Sequence, residues 1–261
     1  MIKKTEAPLL SLADIVTTVN GGTPNEVTIL NHLNLNIYDG DFITVLGSNG
    51  AGKSTLFNTI SGELPVTAGT IKLRDRDITH LSVEKRTAFL ARVFQDPKMG
   101  TAPRMTVAEN LLLASHRGHR RTLRLRGLKQ QMPHFKEMTA TMDGNGLSER
   151  LNTATENLSG GQRQALSFLM ATEQRPDLLL LDEHTAALDP KTSAQLMAQT
   201  NQRVTQERLT CLMITHHLDD ALKYGNRLIV LDQGKIKYDV RDEVKAALTK
   251  EQLLGFFESI D

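Results

Sequence analysis

The chain has 261 residues, 39% of them hydrophobic and 23% charged, with a formal net charge of +1. That length and balance suit one large globular domain or two small ones, and they supply no global field for nucleic acid or an acidic membrane. A lone cysteine, Cys211, excludes an internal disulfide; the N-terminus makes a poor signal peptide, and no stretch nears the roughly 18 apolar residues of a membrane span, so a soluble, cytosolic chain is expected.

In chain order, residues 33–46 (LNLNIYDGDFITVL) alternate apolar and polar, turn at Asp39-Gly40, then become continuously apolar. The first part predicts a half-exposed antiparallel strand and the second a strand buried on both faces. GSNGAGKST at 47–55 fits G-x-x-x-x-G-K-[ST], with Gly47, Gly52, Lys53 and Ser54 in the defining places. Through Ser48, Asn49, Gly50 and Ala51 such a loop curls so that backbone N–H groups point at phosphate oxygens. The helix that begins around Thr55 adds its positive end, and Lys53 reaches the β/γ-phosphates. Ser54 offers a hydroxyl to Mg²⁺. A chance match in a chain of this length is on the order of one in a hundred, so a glycine turn without a ligand is the weaker reading.

The middle, residues 98–157, lacks strand-like runs and predicts a helical subdomain inserted into a sheet domain. Between Arg117 and Lys129 it carries six Lys/Arg and no acid, a pattern read as a solvated helix face in preference to a phosphate or membrane patch. The runs LLLL (178–181), CLMI (211–214) and LIVL (228–231), separated by segments of helical length, predict a twisted, largely parallel sheet covered by helices. LDQGKI (231–236) reads as a turn into a last hairpin strand. The first of these runs ends in two adjacent carboxylates, Asp182 and Glu183. Alone they would read as solvent-facing loop residues. After a phosphate-binding loop, Asp182 is expected to hold Mg²⁺ through water, with Glu183 placed to polarise an attacking water.

In NLSGGQRQALSFLMA (157–171) a serine cap, Ser159, is followed by Gly160, Gly161 and Gln162 at the start of an amphipathic helix, a second anion site. With this motif present, the chain resembles the ATP-binding subunits of ABC transporters over nearly its whole length. Gln95 in VFQDP resembles that family's Q-loop, Asp189 closing AALD its D-loop, and His216 in ITHHL its switch histidine. The resemblance implies an α/β P-loop NTPase of ABC ATPase type. One ATPase domain over 1–261 is expected, with a RecA-like mixed sheet core (1–95 and 163–261), an antiparallel β subdomain, and a helical subdomain at about 96–162 that carries the signature motif. It also implies ATP and Mg²⁺, with Ser54, Gln95 and Asp182 toward the metal, and Glu183, Gln95 and His216 as the catalytic set. Two copies are expected to pair head to tail, each signature loop closing over the ATP on the other's P-loop. A separate membrane permease would dock its coupling helix on the loop 96–105, with an extracytoplasmic substrate-binding protein in the same system and no nucleic acid. The resemblance places the chain on the inner face of the cell membrane.

Four positions depart from the family pattern, one of them Ala186, where a serine is common. Val19, at the end of the first strand, stands where an aromatic often stacks on adenine, which leaves mainly apolar contact for the base and keeps GTP open. His184 replaces the proline common after the catalytic glutamate; it reads as a shape-tolerant loop residue, with modulation of Glu183 or contact with a neighbouring loop as the alternative. His217 takes a place often held by aspartate, and nothing in the spacing of His184, His216 and His217 suggests a metal site. DEHTAALDP, NGAGKSTLFNTISGEL and MTVAENLLLA are similar to ATPases of amino-acid uptake systems, first of the tryptophan/tyrosine type and then of the branched-chain type. A soluble ABC protein acting on nucleic acid or the ribosome is the rival reading. It lacks support because no heptad insertion or second cassette is present. With about 27 residues after Gly234, no sizeable C-terminal regulatory domain is expected.

Overall fold

The computed structural model describes residues 7–118, 127–142 and 146–258, so the basic face read at 117–129 lies mostly outside the described residues. Two compact units form. One combines the residues up to Arg86 with those from Leu209 onward, and the other is Thr87–Arg208.

In the first unit, β1 (Leu10–Val19) and β2 (Val27–Ile37) pair antiparallel, Leu10 opposite Ile37 and Val19 opposite Val27. Next come β3 (Phe42–Gly47), buried throughout, and α1 (Lys53–Ser61). β4 (Ala68–Leu73) lies on the free side of β1 and β5 (Arg76–Asp77) on β4, which gives a sheet ordered β2-β1-β4-β5. This is the expected antiparallel subdomain. α2 (Val83–Arg86) ends the segment, and its last side chain fixes α1. The buried Arg86 guanidinium donates to the carbonyls of Thr59 and Ile60 at the end of α1, and to those of Leu81, Ile78 and Thr79. A cation there suits the negative end of the helix dipole and satisfies carbonyls that have no intrahelical partner. On its other face α1 buries Leu56, Phe57 and Ile60 completely, each contributing roughly 1.5–3 kcal/mol.

The second unit holds β6 (Leu90–Val93), α3 (Val107–Ala114), α4 (Leu128–Ala140), α5 (Gly160–Glu173), β7 (Leu178–Asp182) and α6 (Pro190–Gln206). β6 and β7 run parallel with Leu90 opposite Leu178 and Val93 opposite Leu181. That register brings the residues just past both strands to the same edge. Within the middle segment lie α3 and α4, where Val107, Leu111 and Phe135 are fully buried.

The chain then returns to the first unit as β8 (Cys211–Ile214), α7 (Leu218–Lys223), β9 (Arg227–Asp232), β10 (Lys235–Arg241), α8 (Asp242–Ala246) and α9 (Lys250–Glu258). β3 lies parallel between β8 and β9, and β10 turns back antiparallel on β9, as the hairpin reading expected. Continuous apolar runs make these strands central because both faces are covered. Arg227 fastens the group from within. It donates to both carboxylate oxygens of Asp239 (2.7 and 2.6 Å), to Asp41 (3.1 Å) and to the Asn36 carbonyl (2.6 Å). Among the described residues no helix is long and apolar enough to cross a membrane.

Candidate active site

In the first unit the 47–55 loop leaves the end of β3 and enters α1. Gly52 is the N-cap residue with φ 102°, a left-handed conformation that a side chain opposes, and no side chain caps this helix. The amides of the first turn are therefore presented to whatever anion the loop receives. Ser48, Asn49 and Gly50 form the exposed crest, and the Ser54 side chain is exposed beside it. Lys53 is buried, its ammonium donating to the Gly47 and Ser48 carbonyls at 2.7 and 2.9 Å. The loop thus holds a positive charge inside its own curl. The Ala51 carbonyl accepts from the Gly234 N–H at 3.0 Å, which ties the curl to the β9–β10 turn. His216 follows β8, parallel neighbour of β3, so it leaves the same C-terminal sheet edge as the loop and is exposed there. α/β sheets bind ligands at this edge. Val19 faces Val27 across the β1–β2 ladder with no aromatic ring at that place.

The second unit resolves the paired carboxylates. β6 and the residues just past it supply each with its own partner. Arg92 donates to Asp182 Oδ2 at 2.5 Å, both side chains being largely buried, and the Gln95 amide donates to Glu183 Oε2 at 3.3 Å. Two like charges side by side are tolerated because a cation offsets one and an amide dipole meets the other. Glu183 adopts φ 46°, a left-handed conformation that costs a non-glycine residue roughly 1–2 kcal/mol. His184 turns inward. It is 2% exposed, and its Nε2 shares a 3.2 Å hydrogen bond with the Thr200 hydroxyl on α6. Burial pushes its pKa down to about 4, so the ring is neutral at physiological pH. The loop residue His184 is therefore buried and bonded to α6.

At the start of α5, Ser159 and Gln162 form a reciprocal capping box. The Ser159 hydroxyl accepts from the Gln162 N–H, and the Gln162 side chain accepts from the Ser159 N–H. Arg163 donates to the Thr155 and Glu156 carbonyls, both at 3.0 Å, and holds the preceding turn. An open hollow of about 490 Å³ lies over this helix start, lined by residues 159–162, Leu188, Asp189 and Thr192. Asp189 caps α6 by accepting from the Thr192 N–H at 3.1 Å, and hydrogen bonding from the Thr192 side chain and then its N–H lowers the carboxyl pKa. The signature and D-loop residues are therefore brought together within one unit. Gly161 allows the approach: a Cβ there would lie 2.5 Å from Thr192 Cγ2, whereas one at Gly160 would meet Leu188 at an ordinary 3.7 Å.

Three residues of this unit carry weight that the motifs did not announce. Arg92 has a visible signal, a lone cation in the apolar run LARVF. The Gln164 amide donates to the Phe94 carbonyl at 3.0 Å and so links α5 to the residue before Gln95. Asn110 is fully buried and clamps the 102–106 turn; its Oδ1 accepts from the Ala102 N–H, and its amide donates to the Ala102, Met105 and Thr106 carbonyls. Nothing in the sequence marks the last two, since their partners are backbone atoms. Ahead of that turn Met99 is 71% exposed. Among the described residues no group of three or more His, Cys, Asp or Glu side chains is arranged to hold a metal ion.

A family model described as ABC transporter matches residues 30–186. The tyrosine transport ATP-binding protein of Clostridioides difficile is 46% identical over 239 residues, 91% of this chain and 93% of that protein. The thiamine import ATP-binding protein of Vibrio cholerae is 32% identical over 78% of this chain and 80% of its own. Among solved structures, the dimeric ATP-binding cassette MJ0796 bound to ADP and Pi superposes with a TM-score of 0.73 at 25% identity, covering 89% of this chain and 98% of that one.

Proposed function

Starting from the fact that this chain belongs to the ABC transporter ATP-binding family, we propose that it powers amino-acid import by a head-to-tail dimer that closes on two ATP molecules. It is the ATP-hydrolysing subunit of an ABC transporter, working as a dimer with a membrane permease. The observation that carries the reading is the pair of carboxylates at the end of β7, Asp182 held by Arg92 on β6 and Glu183 by Gln95 just past that strand. The amino-acid cargo is supported by the identity to a tyrosine transport protein. An extracytoplasmic binding protein belongs to the same system, and the subunit sits on the inner face of the membrane through its permease.

Each residue has a stated part. Residues 47–55 wrap the phosphates with backbone N–H groups, and Lys53 counters their charge. Toward Mg²⁺, Ser54 would offer a hydroxyl, Asp182 a carboxylate and Gln95 an amide oxygen, each the kind of oxygen ligand a hard cation takes while keeping several waters. The cation would offset charge developing on the phosphate oxygens. Glu183 orients the attacking water and takes up its proton, with Gln95 holding the carboxylate. His216 contacts the γ-phosphate. Residues 159–162, with Asp189 beside them, present the positive end of α5 to the nucleotide on the partner subunit's loop. The turn at 96–105, clamped by Asn110 and presenting Met99, receives the permease.

Glu183→Gln tests the core of this reading. It should bind ATP, stall turnover and elute as an ATP-dependent dimer on size exclusion; turnover at the wild-type rate overturns the assignment of the base. For the cargo, the binding protein that co-purifies with the permease complex should take tyrosine or a related amino acid in calorimetry, and preference for a sugar or a metal chelate overturns the import class.

A further inference from the structure

We propose that His184 is a positioning residue for Glu183, with Thr200 as its fixed point. The proposal deepens the reading above and rests on Glu183 being the base that acts on the attacking water.

Glu183 is held in a left-handed conformation that a non-glycine residue leaves unless its surroundings over-determine it. Upstream, β7 sets the chain direction through a run of four buried leucines. Downstream, two short turns carry the chain from 183 to 189: the Ala186 N–H donates to the Glu183 carbonyl at 3.0 Å, and the Leu188 N–H donates to the Thr185 carbonyl at 3.2 Å. Those turns set local curvature without fixing the segment to the rest of the unit. The segment's buried anchors are His184 and Thr185, at 2% and 6% exposure, and a side-chain hydrogen bond joins His184 Nε2 to Thr200 Oγ1. Thr200 is fully buried in the middle of α6, whose first turn is capped by Asp189. One hydrogen bond thus fastens the residue after the carboxylate to the helix that begins at the D-loop. An imidazole in a dry site keeps its place only while its polar atom is matched. Removing the match frees residue 184 to shift, and Glu183 can then relax to an ordinary φ. Its carboxylate would leave the Gln95 amide, and an ångström of misplacement is enough to slow a water-activating step.

The test uses the full chain and two near-isosteric changes. Thr200→Val removes only the hydroxyl, and Thr200→Ser returns it. Thr200→Val should lower kcat about tenfold with the KM for ATP unchanged, and Thr200→Ser should recover most of that loss. A purely structural role predicts lower thermal stability at unaltered kcat. His184→Asn combined with Thr200→Val should lower kcat no further than the stronger single change, which keeps the proposal open to refutation if either single variant folds poorly. Equal kcat for Thr200→Val and wild type, or equal loss in the Val and Ser variants, overturns it. Glu183→Gln, assayed alongside, separates the two claims. If that variant turns over normally, both readings fall; if it is inactive while Thr200→Val is unaffected, only the role of His184 falls.

Discussion

Gly161→Ala asks whether the contact between the signature helix and the D-loop is as tight as the structure makes it. The added methyl would sit 2.5 Å from Thr192 Cγ2, against the roughly 3.5–4.0 Å that carbon atoms prefer. Thr192 is β-branched and stiff at χ1, and its N–H is held by Asp189. Either Thr192 leaves its rotamer or the two segments separate. Overpacking of this kind costs about 1–3 kcal/mol, while replacing glycine by alanine in a helix returns at most about 1 kcal/mol and less in a first turn. The net expectation is a loss of about 1–2 kcal/mol, a fall of roughly 2–4 °C in melting temperature for a chain of this size. Gly160→Ala, meeting Leu188 at 3.7 Å, serves as the control and should stay within about 0.5 kcal/mol of wild type. Thr192→Ser removes the offending methyl, so the double variant Gly161→Ala/Thr192→Ser should recover both stability and ATP-dependent dimerisation. Thermal and urea melts of the four proteins form a double-mutant cycle. A coupling smaller than about 0.3–0.5 kcal/mol would mean that the two side chains do not meet, and the hollow described here would be wrong in shape.

Other expectations follow from the same geometry. Lys53→Ala removes the ammonium from the loop and should abolish triphosphate binding in a fluorescent-nucleotide titration; unchanged affinity would sink the phosphate-cradle reading. Arg92→Met deprives the largely buried Asp182 of its cation and should destabilise by about 3–5 kcal/mol in urea, so a loss under about 1 kcal/mol would show that the pair contributes little. His184 titrates near 4 in the folded chain and near 6.5 when unfolded. The unfolded state therefore takes the proton first, and stability fully present above about pH 6.5 drains away as pH falls toward 4. Between pH 7 and 5 the loss should be about 2 kcal/mol, and it should disappear in His184→Asn; an identical pH slope in that variant refutes the burial argument.

Much of the candidate site was legible because its motifs are short, contiguous stretches. A phosphate-binding loop needs glycines, a lysine and a hydroxyl within nine residues, so 47–55 announces itself, as do Ser159 to Gln162 and the carboxylates after LLLL. Arg92 escaped because its partner lies ninety residues on, and a lone cation in an apolar run has no fixed meaning until the strand register is known. Asn110 and Gln164 escaped for another reason: they bond backbone carbonyls, which leave no trace in residue identity.

The buried strands β3, β7, β8 and β9, the glycine-lysine loop at 47–55, the serine-capped start of α5 and the membership of an ATPase family were legible in local pattern, since periodicity and spacing are properties of neighbouring residues. Tertiary structure alone decided how two adjacent carboxylates coexist and what the histidine beside them does. Those answers depend on which strand lies next to β7 and which helix covers the 183–189 turn. Arg92, Gln95 and Thr200 reach Asp182, Glu183 and His184 only through that packing.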